Sequence, residues 1–225
     1  MALNHKIIPA ILPFDFEELE DKIDSIAGLV TTVQVDICDG RFTETATWPY
    51  RKHDDNFEEI TREERGMPHW QDISFEFDLM LDKPEEVIDD WILAGAERII
   101  VHHNAQPNYD KVIELTQGRA ELGIAVIPGT DPQVLAPYFG SIQSVQCMGS
   151  RFVGRQGTEL SEDLYATISK FRKALPPHVR ISVDIGVNLS NASKLFEAGA
   201  DTLVAGSAIF GSQNIVDTLQ KFKRL

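Results

Sequence analysis

"AGAERIIVH" (Ala94–His102) and "AGADTLVAG" (Ala198–Gly206) repeat one layout at two distant points of the chain. In each, a glycine and an acidic residue stand between the end of a helical pattern and a run of aliphatic side chains. Glycine commonly ends a helix in the left-handed conformation. A short aliphatic run is typical of a strand that is buried on both faces, as in parallel sheets. Both stretches therefore predict a helix that leads directly into a strand of a parallel sheet.

The alternation of strand and helix patterns runs through the whole chain. Amphipathic patterns such as "PEEVIDDWILAG" (84–95) separate apolar runs that have the length of strands. These runs are Ile7–Leu12, Thr32–Ile37, Ser74–Met80, Arg98–His102, Ile124–Ile127, Ile142–Cys147, Arg180–Asp184 and Thr202–Ala205. Repeated strand–helix units predict parallel strands with right-handed helical connections, in a closed barrel or in an open doubly wound sheet. The number of units and the length of 225 residues favour the barrel.

We therefore predict an α/β fold with one domain, a (β/α)8 TIM barrel that spans residues 1–225. The segment at about 50–71, "YRKHDDNFEEITREERGMPHWQ", is long and charged for the connection that follows the second strand. It predicts an insertion that consists of a solvated helix and a loop. The alternative for this segment is a lid or a subunit contact.

Composition and charge exclude several classes of protein. The chain has 35 acidic and 21 basic residues, a formal net charge of −14, which disfavours a non-specific nucleic-acid binder. Its apolar runs fall well short of the roughly 20 residues that a membrane-spanning helix needs. The first residues lack the layout of a secretory signal, and two cysteines form no disulfide framework. We expect a soluble, cytoplasmic protein without a nucleic-acid or membrane partner.

Polar side chains collect where the predicted strands end. In a barrel, the carboxyl ends of the strands meet at one face, and catalytic residues lie there. The side chains expected at that face are Gln34, Asp36, Asp78, Met80, His102 and Asp184. A single acid at a strand end often caps the next helix. Buried carboxylates without a partner are costly, so acids from three strands indicate a cation, substrate hydroxyls or shared protons.

Glycines occupy the loops that follow the last two predicted strands. "DIGVN" (184–188) and "VAGSAIFG" (204–211) each precede a helical pattern. In barrels, such loops commonly bind phosphate through backbone N–H groups, with plain helix capping as the alternative. The loop after the sixth strand, "MGSRFVGRQG" (148–157), adds Arg151 and Arg155. Arginine binds phosphate in a planar, bidentate manner, so we count both as candidate substrate contacts.

These residues together resemble the ribulose-phosphate 3-epimerase family, from "IIPAIL" to "VAGSAIFG". The stretches that carry the resemblance are "VQVDICDGRF", "FDLMLDKPEEVIDDWILAGAERIIVH", "SVDIGVN" and "EAGADTLVAGSAIFG". The resemblance implies a barrel of the ribulose-phosphate-binding type, a pentulose 5-phosphate as substrate and a homo-oligomer. It also implies a divalent metal at the barrel mouth, which the family holds with two His and two Asp.

The resemblance assigns roles to several residues. Asp36 and Asp184 correspond to the two aspartates that bind the metal and form the acid/base pair on opposite faces of the sugar. One of the pair removes the proton at C3, and the other returns a proton on the far side. Gly186, Gly206 and Ser207 fall where the family holds the phosphate.

The metal ligands depart from the family pattern. Gln34 stands at the position of one histidine, and Asp78 stands at the position of the other. We therefore predict the ligand set Gln34, Asp36, Asp78 and Asp184. Imidazole suits Zn²⁺ and Fe²⁺, whereas amide and carboxylate oxygens suit Mg²⁺ and Mn²⁺. A divalent metal, Mg²⁺ or Mn²⁺ rather than Zn²⁺ or Fe²⁺, is thus the expected cofactor.

The loop after the sixth strand also departs from the family motif, Asn-Pro-Gly-Phe-Gly-Gly-Gln. The chain reads "SRFVGRQ" there and keeps Gly154 and Gln156, the first as a candidate phosphate ligand and the second as a candidate substrate contact. Arg41, Arg151 and Arg155 are candidates for restoring positive charge beside the substrate, with surface solvation as the alternative for each.

The expected activity is that of a sugar-phosphate 3-epimerase, an isomerase of carbohydrate metabolism that transfers a proton next to the carbonyl of a pentulose phosphate or related ketose phosphate. One alternative is an isomerase or lyase for another phosphorylated sugar. The predicted inner faces of the strands carry no lysine, which argues against a Schiff-base aldolase. The other alternative is a sugar-phosphate-binding barrel that has lost catalysis together with its histidines.

Overall fold

The strands of the barrel are parallel, and each is hydrogen-bonded to its neighbours in chain order until the sheet closes. The computed structural model describes residues 6–52, 54–155 and 159–225. The strands are β1 (Lys6–Ile11), β2 (Thr32–Cys38), β3 (Ser74–Met80), β4 (Ala96–His102), β5 (Glu121–Val126), β6 (Ser144–Met148), β7 (Arg180–Asp184) and β8 (Thr202–Ala205). The predicted (β/α)8 TIM barrel is confirmed, and an open sheet is ruled out.

Helices fill the connections between the strands. The α-helices of the described residues are α1 (Phe16–Asp24), α2 (Asn56–Thr61), α3 (Ile88–Leu93), α4 (Tyr109–Thr116), α5 (Asp163–Ala174), α6 (Ala192–Ala198), α7 (Ser207–Phe210) and α8 (Ile215–Lys223). Short 3₁₀ segments cover Pro84–Glu86, His103–Ala105 and Pro132–Tyr138. Gly95 and Gly199 follow α3 and α6 with φ of 93° and 120°, as the two repeated stretches predicted.

The chain divides into two compact units, Ala10–Leu122 and Met1–Pro9 with Gly123–Leu225. In the first, Trp91 of α3 is fully buried, and its ring centroid lies 4.6 Å from that of Phe77 and 4.5 Å from that of Phe57. Trp48 packs edge-on to Phe57 with centroids 5.6 Å apart. This aromatic cluster anchors α3 on β3.

The first unit also contains a partly buried ion cluster on three neighbouring strands, in which the Glu76 side chain is 4% exposed and that of Glu121 is 44% exposed. Arg98 of β4 donates to the carboxylates of Glu76 on β3 and Glu121 on β5. Burial alone would lower the pKa of Arg98, but the two carboxylates raise it. The cluster therefore keeps its charges and satisfies them internally.

In the second unit, α5 packs through its apolar face. Leu164, Ile168 and Phe171 are fully buried on that face. Arg172 follows on the same helix and pairs with Asp201, whose Oδ2 accepts a hydrogen bond of 2.8 Å from the backbone N–H of Ile181. This pair ties α5 to the start of β7 and of β8.

The alternation along β2 separates a core face from a polar inner face. Val33, Val35 and Ile37 are all fully buried. Gln34 and Asp36 alternate with them, and their register partners on β3 are Glu76 and Asp78. The strand therefore places its apolar residues on one face and the predicted ligands Gln34 and Asp36 on the other.

Within the segment 50–71, the described residues form α2 and several turns, while its role as an insertion stays a prediction. The side chains of Ile60 and Met67 in this segment are buried. Arg65 donates to Oδ1 of Asn56 at 2.5 Å and to Oε1 of Glu20 at 2.6 Å, which fixes the end of the segment against α1. A role as a lid or as a subunit contact stays a prediction.

Within the residues that the structure describes, every helix is too short or too polar to cross a membrane.

Candidate active site

Three predicted ligands meet in one buried cluster. Asp36 at the end of β2, Asp78 on β3 and Asp184 at the end of β7 each offer a carboxylate oxygen, and these oxygens lie within 4.8 Å of one another. All three side chains are buried, and Asp78 is fully so. Like charges at this separation repel strongly where water is excluded. The cluster therefore requires a cation, a shared proton or a ligand that donates hydrogen bonds.

Asp36 is oriented by its own strand and by the loop that follows it. Nε2 of Gln34 donates to Oδ1 of Asp36 at 2.8 Å. Thr47 Oγ1 donates to the Asp36 carbonyl at 3.2 Å and accepts from the N–H of Cys38 at 2.9 Å. Gln34 thus acts on Asp36 through its amide nitrogen in this structure, while its role as an oxygen ligand stays a prediction.

Asp78 contacts His102, which ends β4. Nε2 of the imidazole lies 2.9 Å from Oδ1 of Asp78, and both side chains are completely buried. The ring of Phe42 packs against the imidazole with centroids 5.4 Å apart. The structure thus places His102, a predicted substrate-site residue, directly beside one member of the carboxylate cluster.

Asp184 lies at a tight junction between two loops. The carbonyl of Asp184 accepts from the N–H of Gly149 at 2.6 Å, and a Cβ at Gly149 would overlap the carbonyl oxygen of Ile185. Ile185 has a φ of +69°, a conformation that costs a β-branched residue about 1–3 kcal/mol. Its N–H donates to Oδ1 of Asp184 at 2.6 Å. The strained turn thereby holds the carboxylate at the strand end.

Met80 and Cys38 lie in register at the ends of β3 and β2, with their sulfur atoms 3.9 Å apart. Burial raises the pKa of the Cys38 thiol well above its usual range. Burial likewise raises the pKa of Cys147 to about 12. Both thiols therefore stay protonated near neutral pH and act as apolar packing groups.

The loops after β7 and β8 form a cavity of about 380 Å³ within the second unit. Its lining residues are Glu159, Leu160, Gly186, Val187, Asn188, Asn191, Ser207 and Ala208. Asn188 and Asn191 donate to the carbonyl of Gly186 at 3.2 and 2.8 Å, which fixes the loop after β7. Two predicted phosphate ligands, Gly186 and Ser207, line this cavity, and Gly206 directly precedes Ser207.

The predicted arginines take different positions. Arg151 lies over the loop after β5, where a Cβ on Gly129 would stand 2.9 Å from its Nη2, and this atom is 3.9 Å from Asp163 Oδ2. Arg155 is exposed and follows Gly154, which is buried with a φ of +74°. Gln156 lies outside the described residues.

Arg41 belongs to the loop after β2, which Asp39 organises. Oδ1 of Asp39 accepts from the N–H groups of Arg41 and Phe42 at 2.8 and 2.9 Å. Oδ2 accepts from the N–H of Asp82 at 2.8 Å, which joins this loop to the loop after β3. Burial raises the pKa of Tyr50 to about 12, and the charge of Arg41 opposes that rise. The side chain of Arg41 itself is exposed, in the first of these two loops.

The cluster fits a hard divalent cation. Its donors are carboxylate oxygens from three strands, with a formal charge of −3. Oxygen donors of this kind suit Mg²⁺, Mn²⁺ or Ca²⁺ better than the softer metals that prefer imidazole or thiolate. Buried carboxylates from three strands of a closed parallel barrel are typical of one class of protein, the barrel enzymes, which carry their active sites at the carboxyl ends of the strands.

Comparisons with known proteins agree. The profile of the ribulose-phosphate 3-epimerase family matches residues 6–210. The chain is 29% identical over 219 residues to a ribulose-phosphate 3-epimerase of Bacillus subtilis, covering 93% of this chain and 94% of that protein. It is 26% identical over 225 residues to the Aquifex aeolicus enzyme of that name, covering 97% and 96%. The chain belongs to the ribulose-phosphate 3-epimerase family.

Solved structures support the fold. A 3-hexulose-6-phosphate synthase superposes with a TM-score of 0.68 at 18% identity and covers 97% of this chain and 98% of its own. KGPDC from Streptococcus mutans superposes with a TM-score of 0.69 at 14% identity and covers 98% and 96%. At these identities, the likeness concerns the barrel alone.

Sequence reasoning missed two features of the site. The first is the contact between His102 and Asp78, which lie on neighbouring strands. Side chains two residues apart on a strand share a face, so both residues were expected on the inner face. The register between β3 and β4 would have been needed to predict the contact. The cavity residues Asn188 and Asn191 hold the loop after β7 through side-chain amides. The two asparagines are three residues apart in "NLSN", a pattern that is typical of a turn stabilised by side-chain amides.

Proposed function

We propose that this chain is an epimerase that interconverts ribulose 5-phosphate and its 3-epimer. The observation that carries the proposal is the buried cluster of Asp36, Asp78 and Asp184 in a barrel of this family. Two of its members, Asp36 and Asp184, come from different strands, so they are suited to reach a bound sugar from two sides.

The chemistry that we propose is proton transfer at C3. One of the two carboxylates, ionised at the start, takes the proton from C3, and the carbonyl oxygen at C2 takes up the negative charge of the resulting enediolate. The other, protonated at the start, delivers its proton to the opposite face of C3 as the carbonyl reforms. The two aspartates exchange protonation states in each turnover, and proton exchange with solvent water resets them before the next turnover in the same direction.

Gln34, Asp36, Asp78 and Asp184 are the residues that we propose to hold a divalent cation. When bound, a divalent cation supplies positive charge that stabilises the negative charge developing on the oxygens of the sugar. The all-oxygen donor set supports Mg²⁺ or Mn²⁺ over Zn²⁺ or Fe²⁺. Gln34 also orients Asp36, because its amide donates a hydrogen bond to that carboxylate. Asp78 flanks Asp36 as its register partner on β3. Both residues therefore support the acid/base pair whether or not the cation is present.

A turnover assay with chelator tests this proposal. We expect conversion of ribulose 5-phosphate to its 3-epimer, loss of turnover in excess EDTA, and recovery with Mn²⁺ or Mg²⁺ that exceeds recovery with Zn²⁺. Turnover that is indifferent to EDTA would remove the cation from the proposal. Failure to epimerise under every condition, with retained binding of the sugar phosphate, would favour a barrel that has lost catalysis with its imidazole ligands.

The phosphate of the substrate is proposed to bind to the loops of the 380 Å³ cavity. Gly186, Gly206 and Ser207 would supply backbone N–H groups, and Gly154 with Arg155 would approach from the loop after β6. Met80 is proposed to form an apolar wall of the sugar site at the end of β3, where its side chain is buried beside Cys38. Arg41, Arg151 and Gln156 remain candidate contacts from the rim.

Gly206→Asp should abolish phosphate binding because it places a carboxylate where the phosphate is proposed to lie. In the wild type, inorganic phosphate at about 100 times its Kd should stabilise the fold by about 2.7 kcal/mol and raise the melting temperature by several degrees. Gly140→Asp is the matched control, since this exposed glycine precedes β6 and a Cβ there meets open space. An equal phosphate shift in Gly206→Asp and the wild type would locate the anion elsewhere.

Two further expectations are proposals as well. Assembly as a homo-oligomer, with segment 50–71 as a contributor to the contact, is supported by the family and by Trp70, whose side chain is 62% exposed beside exposed Leu93. A cytoplasmic location is supported by the metabolic character of the relatives' names.

A further inference from the structure

His102 on β4 contacts the carboxylate cluster through Asp78 on the neighbouring strand β3. Its Nε2 lies 2.9 Å from Oδ1 of Asp78, and neither side chain is accessible to solvent. We propose that His102 is a positioning residue of the cation site, which donates a hydrogen bond to Asp78 and holds this carboxylate in the orientation that the cluster needs. The inference rests on the proposed function, because it assumes that the cluster binds a divalent cation.

The proposal fixes the direction of this hydrogen bond. A carboxylate that binds a cation accepts hydrogen bonds and has none to donate, so Nε2 of His102 must be the donor to Asp78. Nδ1 is buried and has no hydrogen-bond partner among residues 6–52, 54–155 and 159–225. An apolar side chain of similar size would avoid this buried, unsatisfied nitrogen. The use of an imidazole here therefore lies in the contact that Nε2 makes with Asp78.

Asp78 needs such a partner because of its neighbours. Its register partner on β2 is Asp36, whose carboxylate belongs to the same cluster. Repulsion between the two favours rotation of the Asp78 carboxylate away from the other acids. On the other side of β3, His102 lies two residues beyond Ile100, the register partner of Asp78 on β4. A donor at this point holds Asp78 in place and satisfies one of its oxygens.

The arrangement gives this chain an imidazole behind its carboxylate ligand. Outer partners of this kind orient metal ligands, and their loss typically weakens metal binding by about 10–100-fold. The same magnitude is expected here, since Asp78 is fully buried and cannot recruit bulk water as a substitute donor.

Calorimetric titration of the metal-free protein with Mn²⁺ tests the inference without any turnover. We expect His102→Leu to raise the Kd for Mn²⁺ by about 10–100-fold. His102→Gln should recover most of the affinity, since its amide N–H group reaches toward the position of Nε2. His103→Gln is the matched control, because this neighbouring histidine bonds to the hydroxyl of Tyr109 at 2.9 Å and not to the cluster. The melting-temperature shift in inorganic phosphate, which reports the loops after β7 and β8, verifies that each variant is folded.

The outcomes separate this inference from the proposed function. Equal Mn²⁺ affinity in His102→Leu and the wild type would overturn the positioning role and leave the proposed function standing. Weak binding in both His102→Leu and His102→Gln would mean that ring packing matters rather than the hydrogen bond, which also overturns it. A wild type that binds no Mn²⁺ at millimolar concentration would overturn the cation site and the inference together.

Discussion

Asp184→Asn is expected to lower turnover of ribulose 5-phosphate by about 10²–10⁴-fold, and Asp36→Asn is expected to do the same. Asparagine keeps the size and planarity of the side chain, but its amide neither takes up nor delivers a proton near neutral pH. Because the loss concerns proton transfer, the Kd of the sugar phosphate should stay within about tenfold of the wild-type value. Steady-state kinetics with both epimers, together with calorimetry of the substrate, measures the two quantities separately.

Asp110→Asn is the control for these variants, since Asp110 is an exposed acid on α4 that does not belong to the carboxylate cluster. We expect unchanged turnover in this variant. If either Asp36→Asn or Asp184→Asn retained most of the wild-type turnover, that aspartate would have no part in proton transfer. If both variants lost substrate binding instead, the cluster would be a binding site rather than an acid/base pair.

The second large effect concerns stability. Glu76→Ala should lower the free energy of unfolding by about 3–5 kcal/mol, because it leaves the largely buried guanidinium of Arg98 without the more buried of its two carboxylate partners. For a chain of this size, such a loss corresponds to a drop in melting temperature of roughly 6–20 °C. Urea unfolding followed by circular dichroism measures the change in free energy directly.

Glu97→Ala is the matched control, since Glu97 precedes Arg98 on the same strand and is exposed. This change should alter the free energy of unfolding by no more than about 0.5 kcal/mol. Turnover per folded molecule of Glu76→Ala should match the wild type at a temperature where the variant is folded. A loss of less than about 1 kcal/mol in Glu76→Ala would mean that water or Glu121 compensates the guanidinium.

Glu76 and Asp78 show which features of the site can be predicted from the sequence and which cannot. Both are acids on the inner face of β3, two residues apart, and strand alternation alone treats them alike. The structure separates them, because Glu76 is neutralised by Arg98 whereas Asp78 faces two further acids. That difference depends on which residues stand in register on β2 and β4, which a single sequence does not specify.

The barrel itself was predictable because its signals are local. The third, seventh and eighth strands begin and end where predicted. The seventh ends at Asp184 and the eighth just before Gly206, where their aliphatic runs stop. The sixth strand begins at Ser144 rather than at Ile142, although Ile142 is fully buried. The side chain of Ile142 packs in the core before the strand begins. Its burial alone does not distinguish a strand residue from a buried loop residue.

The details of the site were less predictable because they depend on orientation. The amide nitrogen of Gln34 donates to Asp36 at 2.8 Å, and the predicted role of its oxygen as a metal ligand stays a prediction. The guanidinium of Arg151 lies 3.9 Å from Oδ2 of Asp163 in this structure, and its predicted contact with the substrate stays a prediction. Both are long side chains whose direction is set by tertiary neighbours, whereas the short aspartates at strand ends point where the strand dictates.

If Asp36 and Asp184 act on opposite faces of C3, each of them alone should exchange the C3 proton of a different epimer in deuterated water. Each Asn variant should be incubated separately with ribulose 5-phosphate and with its 3-epimer, and deuterium at C3 should be followed by proton NMR. We expect each variant to exchange the C3 proton of one epimer without inverting it, and the two variants to act on different epimers. Exchange of the same epimer by both variants, or inversion by either at the wild-type rate, would contradict action on opposite faces.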